Sequence, residues 1–73
     1  MKKIYKLEDL DCAHCAAKME KAIAALDGVE AASISFLSQK LTITFAEGAD
    51  VNTIMQNAVA ICKKIEPDCR ILL

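Results

Sequence analysis

Two neighbouring segments of this chain alternate between apolar and polar residues, and this alternation constrains the fold most. In residues 32–36 Ala, Ile and Phe alternate with serine, and in residues 41–45 Leu, Ile and Phe alternate with threonine. Successive side chains of a strand point to opposite sides, so each segment predicts a strand with one apolar face. Leu37-Ser38-Gln39 joins them, which predicts a β-hairpin with one side to bury.

Two further strands and two helices follow from the remaining pattern. Lys3 to Glu8 alternates and predicts a first strand, and Cys69 to Leu73 predicts a short last strand. Apolar residues recur at helical spacing in two segments between them. The first stripe consists of Cys15, Met19, Ala22, Ile23 and Leu26, and the second of Val51, Ile54, Met55, Ala58, Cys62 and Ile65.

Breaks in the pattern set the ends of these helices. Asp27-Gly28 ends the first, Asp50 is a candidate N-cap for the second, and Glu66-Pro67-Asp68 stops the second. The order is therefore βαββαβ. It predicts an α+β, ferredoxin-like sandwich, in which a four-stranded antiparallel sheet carries both helices on one face. At 73 residues, we expect residues 1–73 to form a single domain.

Composition excludes several classes of function. The net charge is −1, the basic residues are scattered, and only three residues are aromatic, so no nucleic-acid partner is expected. No apolar run is long enough to cross a bilayer, and no secretory signal is recognisable, so we expect a cytoplasmic chain without direct membrane insertion. No enzymatic activity is expected of the chain itself.

The fragment Asp11-Cys12-Ala13-His14-Cys15 carries the chemistry. It lies where a loop predicted for residues 9–14 enters the first helix, and it combines two thiols, a carboxylate and an imidazole. These are metal-ligating side chains, and a helix N-terminus favours the thiolate form of cysteine. Soft or borderline metal ions prefer such ligands, so the fragment predicts a metal site.

Cys-x-x-Cys has two other interpretations. A thiol–disulfide enzyme usually carries a tryptophan beside the motif, and this chain has none. A structural zinc site needs two more outward-facing ligands, which Cys62 and Cys69 do not provide. Both of those cysteines lie on predicted core faces, and we expect them to pack as small apolar residues.

The whole chain resembles the heavy-metal-associated domain, found in metallochaperones and at the N-termini of metal-pumping P-type ATPases. The resemblance rests on the element order, the helix stripes, the length and the loop Leu10-Asp11-Cys12-Ala13-His14-Cys15. The usual loop of that family is Gly-Met-Thr-Cys-x-x-Cys, with copper(I) between the sulfurs. Here Asp9, Leu10 and Asp11 replace its first three residues, and the resemblance implies that Leu10 fills the core beneath the loop.

Asp11 is the departure with a chemical consequence. A carboxylate beside two thiolates would over-charge a copper(I) site, whereas Zn²⁺, Cd²⁺ and Pb²⁺ accept oxygen beside sulfur. The loop resembles that of the ATPases that export these ions. Asp11 could instead cap the first helix without touching metal. His14 could close the coordination shell, although the positions between the cysteines usually face solvent in this family. Lys64 could occupy the place, opposite the metal loop, where copper chaperones of the family have a lysine.

These features predict a domain that binds Zn²⁺, Cd²⁺ or Pb²⁺ through Cys12, Cys15 and Asp11, with His14 as a further candidate. It would deliver the ion to a heavy-metal-exporting P-type ATPase, or regulate one, as its N-terminal domain. Its partner would be the transmembrane region of that ATPase or another metal-binding domain. It would be a monomer, or a dimer bridged by metal. The alternative is a free-standing cytosolic metallochaperone or scavenger, including one for Cu⁺.

Overall fold

The computed structural model describes residues 1–73 and contains the six predicted elements in the predicted order. They are β1 Lys2–Glu8, α1 Ala13–Ala24, β2 Val29–Ser35, β3 Lys40–Phe45, α2 Val51–Ile65 and β4 Arg70–Leu72. The strands lie within one residue of their predicted ends, except that β2 begins at Val29 and not at Ala32. The start of α1 also differs, because the helix already begins at Ala13 and takes in part of the predicted loop.

The four strands form one antiparallel sheet in the order β2-β3-β1-β4. β1 pairs with β3 from Lys2 opposite Thr44 to Lys6 opposite Lys40, and β4 pairs with the last part of β1. α1 packs against β2, α2 packs against β4, and the helices contact each other. The ferredoxin-like fold is thereby confirmed. Neither helix is long and apolar enough to cross a membrane.

The core lies between the helices and one face of the sheet and contains only apolar residues and cysteine. It consists of Leu7, Leu10, Ala16, Met19, Ile23, Leu41, Ile43, Phe45, Ile54, Met55, Ala58, Cys62, Cys69 and Ile71. Cys62 and Cys69 are each 1% exposed, so their predicted place in the core is confirmed.

The buried side of α1 differs from its predicted stripe. Ala16 is buried, whereas Cys15, Ala22 and Leu26 are only partly buried. Leu26 lies beyond the last residue of the helix, and Cys15 lies in its first turn, beside the loop. The early start of α1 therefore leaves Cys15 partly exposed.

Candidate metal centre

Cys12 and Cys15 meet at the N-terminus of α1. Cys12 is the N-cap, with extended backbone angles, and its sulfur accepts a hydrogen bond from the backbone N–H of Cys15 over 3.1 Å. Its carbonyl accepts the first helical bond, from the N–H of Ala16. The alternative in which Asp11 caps this helix is therefore wrong, because the sulfur of the next residue already satisfies a free N–H of the first turn.

The two residues between the cysteines point away from the protein. Ala13 and His14 form the start of α1 and are both exposed. The expectation that these positions face solvent is confirmed. The imidazole of His14 can thus be reached from outside, and its role as a ligand stays a prediction.

The two thiols differ in acidity. The pKa of Cys12 is lowered, first because the side chain of Cys15 donates a hydrogen bond to its sulfur and second because the backbone N–H of Cys15 does the same. The same side-chain bond is the largest cause that raises the pKa of Cys15 to about 11, since Cys15 must keep its proton to donate it. Cys12 is therefore the more acidic of the two thiols.

Asp11 is exposed on the loop beside Cys12. The structure gathers no cluster of three or more His, Cys, Asp or Glu side chains that could hold a metal ion. The paired thiols are thus the preformed part of the centre. Asp11 has to move toward them before it can bind the same ion.

Glu66 is the residue near the thiols that sequence reasoning missed. Its carboxylate oxygen Oε2 is buried and has no hydrogen-bond partner. Its negative charge is among the causes that raise the pKa values of Cys15 and Cys69, and it partly opposes the lowering at Cys12. Glu66 therefore places a second carboxylate near the thiols of the metal loop.

The end of α2 positions Glu66. It is the C-cap of the helix, its N–H donates to the carbonyl of Cys62 over 2.8 Å, and its own carbonyl accepts the N–H of Cys69. Its backbone is extended, as expected for a residue that precedes proline, here Pro67. A glutamate directly before a helix-stopping proline was the available signal. Lys64, which the sequence offered for this place, is exposed on α2.

The metal loop is also tied to the β2–β3 turn. Leu10 is 2% exposed, so the expectation that it fills the core beneath the loop is confirmed. Its backbone N–H donates to Oε1 of Gln39 over 3.1 Å, and its carbonyl accepts from Nε2 of Gln39 over 2.8 Å. The side chain of Gln39 therefore bonds both the N–H and the carbonyl of Leu10 and so holds the loop.

A family model places this arrangement among known proteins. The model described as "Heavy-metal-associated domain" matches residues 4–67. The chain belongs to the heavy-metal-associated domain family. The matched range includes both cysteines, Asp11 and Glu66, so the candidate centre lies inside the family's defining region.

The relatives of this heavy-metal-associated domain include pumps with different printed substrates. It is 28% identical over 67 residues to the cadmium, zinc and cobalt-transporting ATPase of Bacillus subtilis (strain 168), an alignment that covers 92% of this chain and 9% of that protein. It is 36% identical over 50 residues to copper-transporting ATPase 1 of Rhizobium meliloti (strain 1021), covering 68% of this chain and 6% of that one. The chain thus spans less than a tenth of the length of either pump.

A solved structure shows the same fold. A protein described as "CopZ metallochaperone" superposes with a TM-score of 0.76 at 18% identity, and the match covers 99% of this chain and 100% of that one. At this identity the likeness supports the fold alone. Metal binding by a domain of this family is supported, and the choice of metal ion is left to the chemistry of the loop.

Proposed function

We propose that this heavy-metal-associated domain captures Zn²⁺, Cd²⁺ or Pb²⁺ between Cys12 and Cys15. It would deliver the ion to a metal-exporting P-type ATPase, or regulate one, as its N-terminal part. The observation that carries the proposal is the sulfur of Cys12 at the N-cap of α1, bonded to the N–H of Cys15. That geometry brings the two thiols close together, and the pKa of Cys12 is lowered.

Capture would proceed through the more acidic thiol. The thiolate is the form of cysteine that ligates metals, so Cys12 offers the first bond. The ion then competes with the proton of Cys15, whose pKa is about 11, and displaces it. Two thiolates at the surface then hold the ion where a partner's thiolates can reach it. Delivery needs only ligand exchange through intermediates shared with the partner, without further covalent chemistry.

Two carboxylates near the thiols favour the proposal that the bound ion is divalent. Asp11 precedes Cys12 in the loop, and Glu66 has a buried oxygen without a partner beside the thiols. Two thiolates and a carboxylate carry more negative charge than Cu⁺ can balance, whereas Zn²⁺, Cd²⁺ and Pb²⁺ tolerate oxygen and sulfur together. One coordination position would stay open for water, for His14 or for a ligand from the partner. An open position suits an ion that must be passed on.

A Cu⁺ metallochaperone or scavenger is the second candidate. Cu⁺ is satisfied by two soft thiolates, which are the preformed part of the centre. One pump relative is described as copper-transporting, and the solved structure above as a CopZ metallochaperone. In this alternative Asp11 and Glu66 would stay outside the coordination shell. The two candidates therefore differ in the contribution of the carboxylates.

Competitive titration separates the candidates. Zn²⁺, Cd²⁺, Pb²⁺ and Cu⁺ are titrated into the reduced chain and into Asp11→Ala, Glu66→Gln and His14→Ala variants. Glu47→Gln is the matched control, since Glu47 is exposed and does not adjoin the metal loop. We expect Asp11→Ala to weaken the divalent ions and to leave Cu⁺ nearly unchanged. Equal losses for all four ions, or no loss for any, would contradict the role given to Asp11.

The cellular setting follows from the same proposal. The domain would work in the cytoplasm, on the side of the membrane from which an exporter takes its cargo. Its partner would be the transmembrane region of the pump or another metal-binding domain. We propose a monomer that can form a dimer when one ion bridges two loops. Sedimentation with and without one equivalent of Zn²⁺ measures that step.

A further inference from the structure

Both non-glycine residues with left-handed backbone angles lie next to Leu10. Asp9 has φ of 59° and directly precedes it, and Gln39 has φ of 55° and bonds to it across the fold. Residues other than glycine rarely adopt this region, and such conformations persist only when surrounding contacts enforce them. Contacts around Leu10 therefore have to hold both residues in this conformation.

The side-chain amide of Gln39 is fully used. Its oxygen accepts the N–H of Leu10 over 3.1 Å, and its nitrogen donates to the carbonyls of Leu10 over 2.8 Å and of Phe36 over 2.9 Å. Its backbone carbonyl accepts the N–H of Leu7 over 2.8 Å. We name these contacts the Gln39 clamp. They bind the β2–β3 turn to the end of β1 and to the loop after it.

The clamp lies close to the first thiol. Only Asp11 separates Leu10 from Cys12 in the chain. The side chain of Leu10 is buried at 2% exposure, and the clamp satisfies both of its backbone polar groups. Because each peptide unit is planar, a fixed Leu10 leaves few backbone torsions with which Cys12 can leave its N-cap position.

We infer that Gln39 is a positioning residue of the metal centre: its clamp on Leu10 holds the loop in the conformation in which Cys12 caps α1 beside Cys15. The inference rests on the proposed function. A loop that is already ordered binds metal more tightly, because no conformational entropy of the loop has to be lost when the ion binds. Residues that orient metal ligands without touching the ion typically change metal affinity by about 10- to 100-fold.

Two variants separate positioning from ordinary turn stability. Gln39→Gly removes the amide and also suits the left-handed angle, so the turn keeps its shape. Gln39→Asn tolerates the same angle, and its side chain is too short to reach Leu10. Ser38→Gly is the matched control, since it adds a glycine to the same turn and leaves the amide of Gln39 in place. Each is made in the full chain.

The probe is Zn²⁺ alone, added to the reduced protein against a chromophoric chelator. We expect both Gln39 variants to bind Zn²⁺ about tenfold more weakly, at the low end of the range for orienting residues. The urea midpoint of Gln39→Gly should fall less than that of Gln39→Asn, because both variants lose the hydrogen bonds of the amide and glycine also relieves the left-handed backbone angle. Amide hydrogen exchange at Leu10 should become faster in both variants, and Ser38→Gly should match the natural chain in affinity and in exchange.

Two results would overturn the inference. One is unchanged Zn²⁺ affinity in both Gln39 variants while the Leu10 amide exchanges faster, since the clamp would then be open without consequence. The other is an affinity loss that follows a lower urea midpoint equally in Ser38→Gly and in the Gln39 variants. A Cys12→Ala, Cys15→Ala double variant that binds Zn²⁺ as the natural chain does would overturn the proposed function itself, and the clamp's role with it.

Discussion

The backbone N–H of Cys15 donates a hydrogen bond to the sulfur of Cys12 over 3.1 Å. A cysteine thus takes the capping position that serine, threonine, aspartate or asparagine fills in most helices. The interaction between the two thiols is the largest cause that lowers the pKa of Cys12 and raises that of Cys15 to about 11. The capping atom is therefore also the proposed metal ligand, so under the proposed function a captured ion and the first turn of α1 would share it.

This relationship predicts which thiol reacts first. At about pH 7.5, substoichiometric iodoacetamide should alkylate Cys12 before Cys15 in the reduced, metal-free chain, because the thiolate is the nucleophile. The pKa of Cys12 lies below the ordinary thiol value and that of Cys15 near 11. Peptide mass spectrometry gives the order. Cys15→Ala should slow the reaction at Cys12, since it removes the thiol whose hydrogen bond is the largest cause that lowers the pKa of Cys12. Faster labelling of Cys15 would contradict the assignment.

Gly28 and Gly48 form a matched pair for stability. Both have positive φ, at 88° and 78°, so alanine at either position should cost about 1 kcal/mol of unfolding free energy from the backbone alone. A Cβ at Gly28 would also lie 2.8 Å from Cδ1 of Ile54, whereas one at Gly48 meets nothing within 4 Å.

We therefore expect Gly28→Ala to cost at least about 1 kcal/mol more than Gly48→Ala, measured by urea unfolding. Ile54→Val removes Cδ1 and should recover part of the extra loss when combined with Gly28→Ala. Equal costs at the two glycines would show that Ile54 moves aside freely.

Glu20 protects the edge of the sheet. Its Oε2 accepts the backbone N–H of Ile34 over 2.8 Å, and Ile34 lies in β2, an edge strand. Bonds to a charged acceptor contribute about 1.5–3 kcal/mol, and partial exposure places this one at the lower end. Glu20→Ala should lower the free energy of unfolding by about 1.5 kcal/mol and increase self-association, because a free strand edge can pair with another chain.

Chemical denaturation and light scattering measure the two effects. Glu47→Ala is the control, since Glu47 is exposed and forms no such bond. Glu20→Gln keeps an acceptor and should lose less than Glu20→Ala. If Glu20→Ala behaves as Glu47→Ala does, the bond to Ile34 does not stabilise the chain.

The buried thiol of Cys62 predicts an alkaline loss of stability. Burial raises its pKa to about 12, whereas an unfolded cysteine titrates near 8.5. The raised value stabilises the thiol form, so its contribution is fully present below about pH 8.5 and is lost as the pH rises toward 12, by up to about 1.4 kcal/mol per pH unit.

The free energy of unfolding of the reduced chain, measured from about pH 8 to 11, should therefore fall less steeply in Cys62→Ala than in the natural chain. Ile54→Val is the control, because it truncates the same helix's core side and titrates nothing. It should lower stability by a similar amount at every pH. Parallel curves for Cys62→Ala and the natural chain would exclude the assigned cause.

The sequence correctly predicted the elements in which apolar residues recur at regular spacing. The one-sided strands at 32–36 and 41–45 and the stripe of α2 were predicted with the correct buried face, since burial of that face decides the structure. The start of α1 was predicted two residues late because Ala13 and His14 are exposed and add nothing to the apolar stripe, which begins at Cys15. The capping residue was missed because a sulfur cap is outside the usual preference.

The sequence marked Glu66 as the residue before a helix-stopping proline, but nothing along the chain placed its side chain, or that of Gln39, beside the metal loop. Each reaches the metal loop from a segment far away along the chain, and its side-chain position depends on how a helix end or a turn closes on that loop. The apolar pattern along the chain predicts which face of a helix or strand is buried. It does not predict which polar side chain from a distant segment will lie beside the metal loop. From the sequence alone, both residues are typical of exposed positions at the end of a helix or in a turn.

The Gln39 clamp also limits how this chain can tolerate change in length. Turns between strands usually accept insertions, because few contacts depend on them. Here an added residue between Phe36 and Gln39 would swing the amide away from Leu10. A change of length in the hairpin turn would then require a compensating change in the metal loop. The connection between β3 and α2, where Glu47 and Gly48 are exposed, can accept an insertion without such a change.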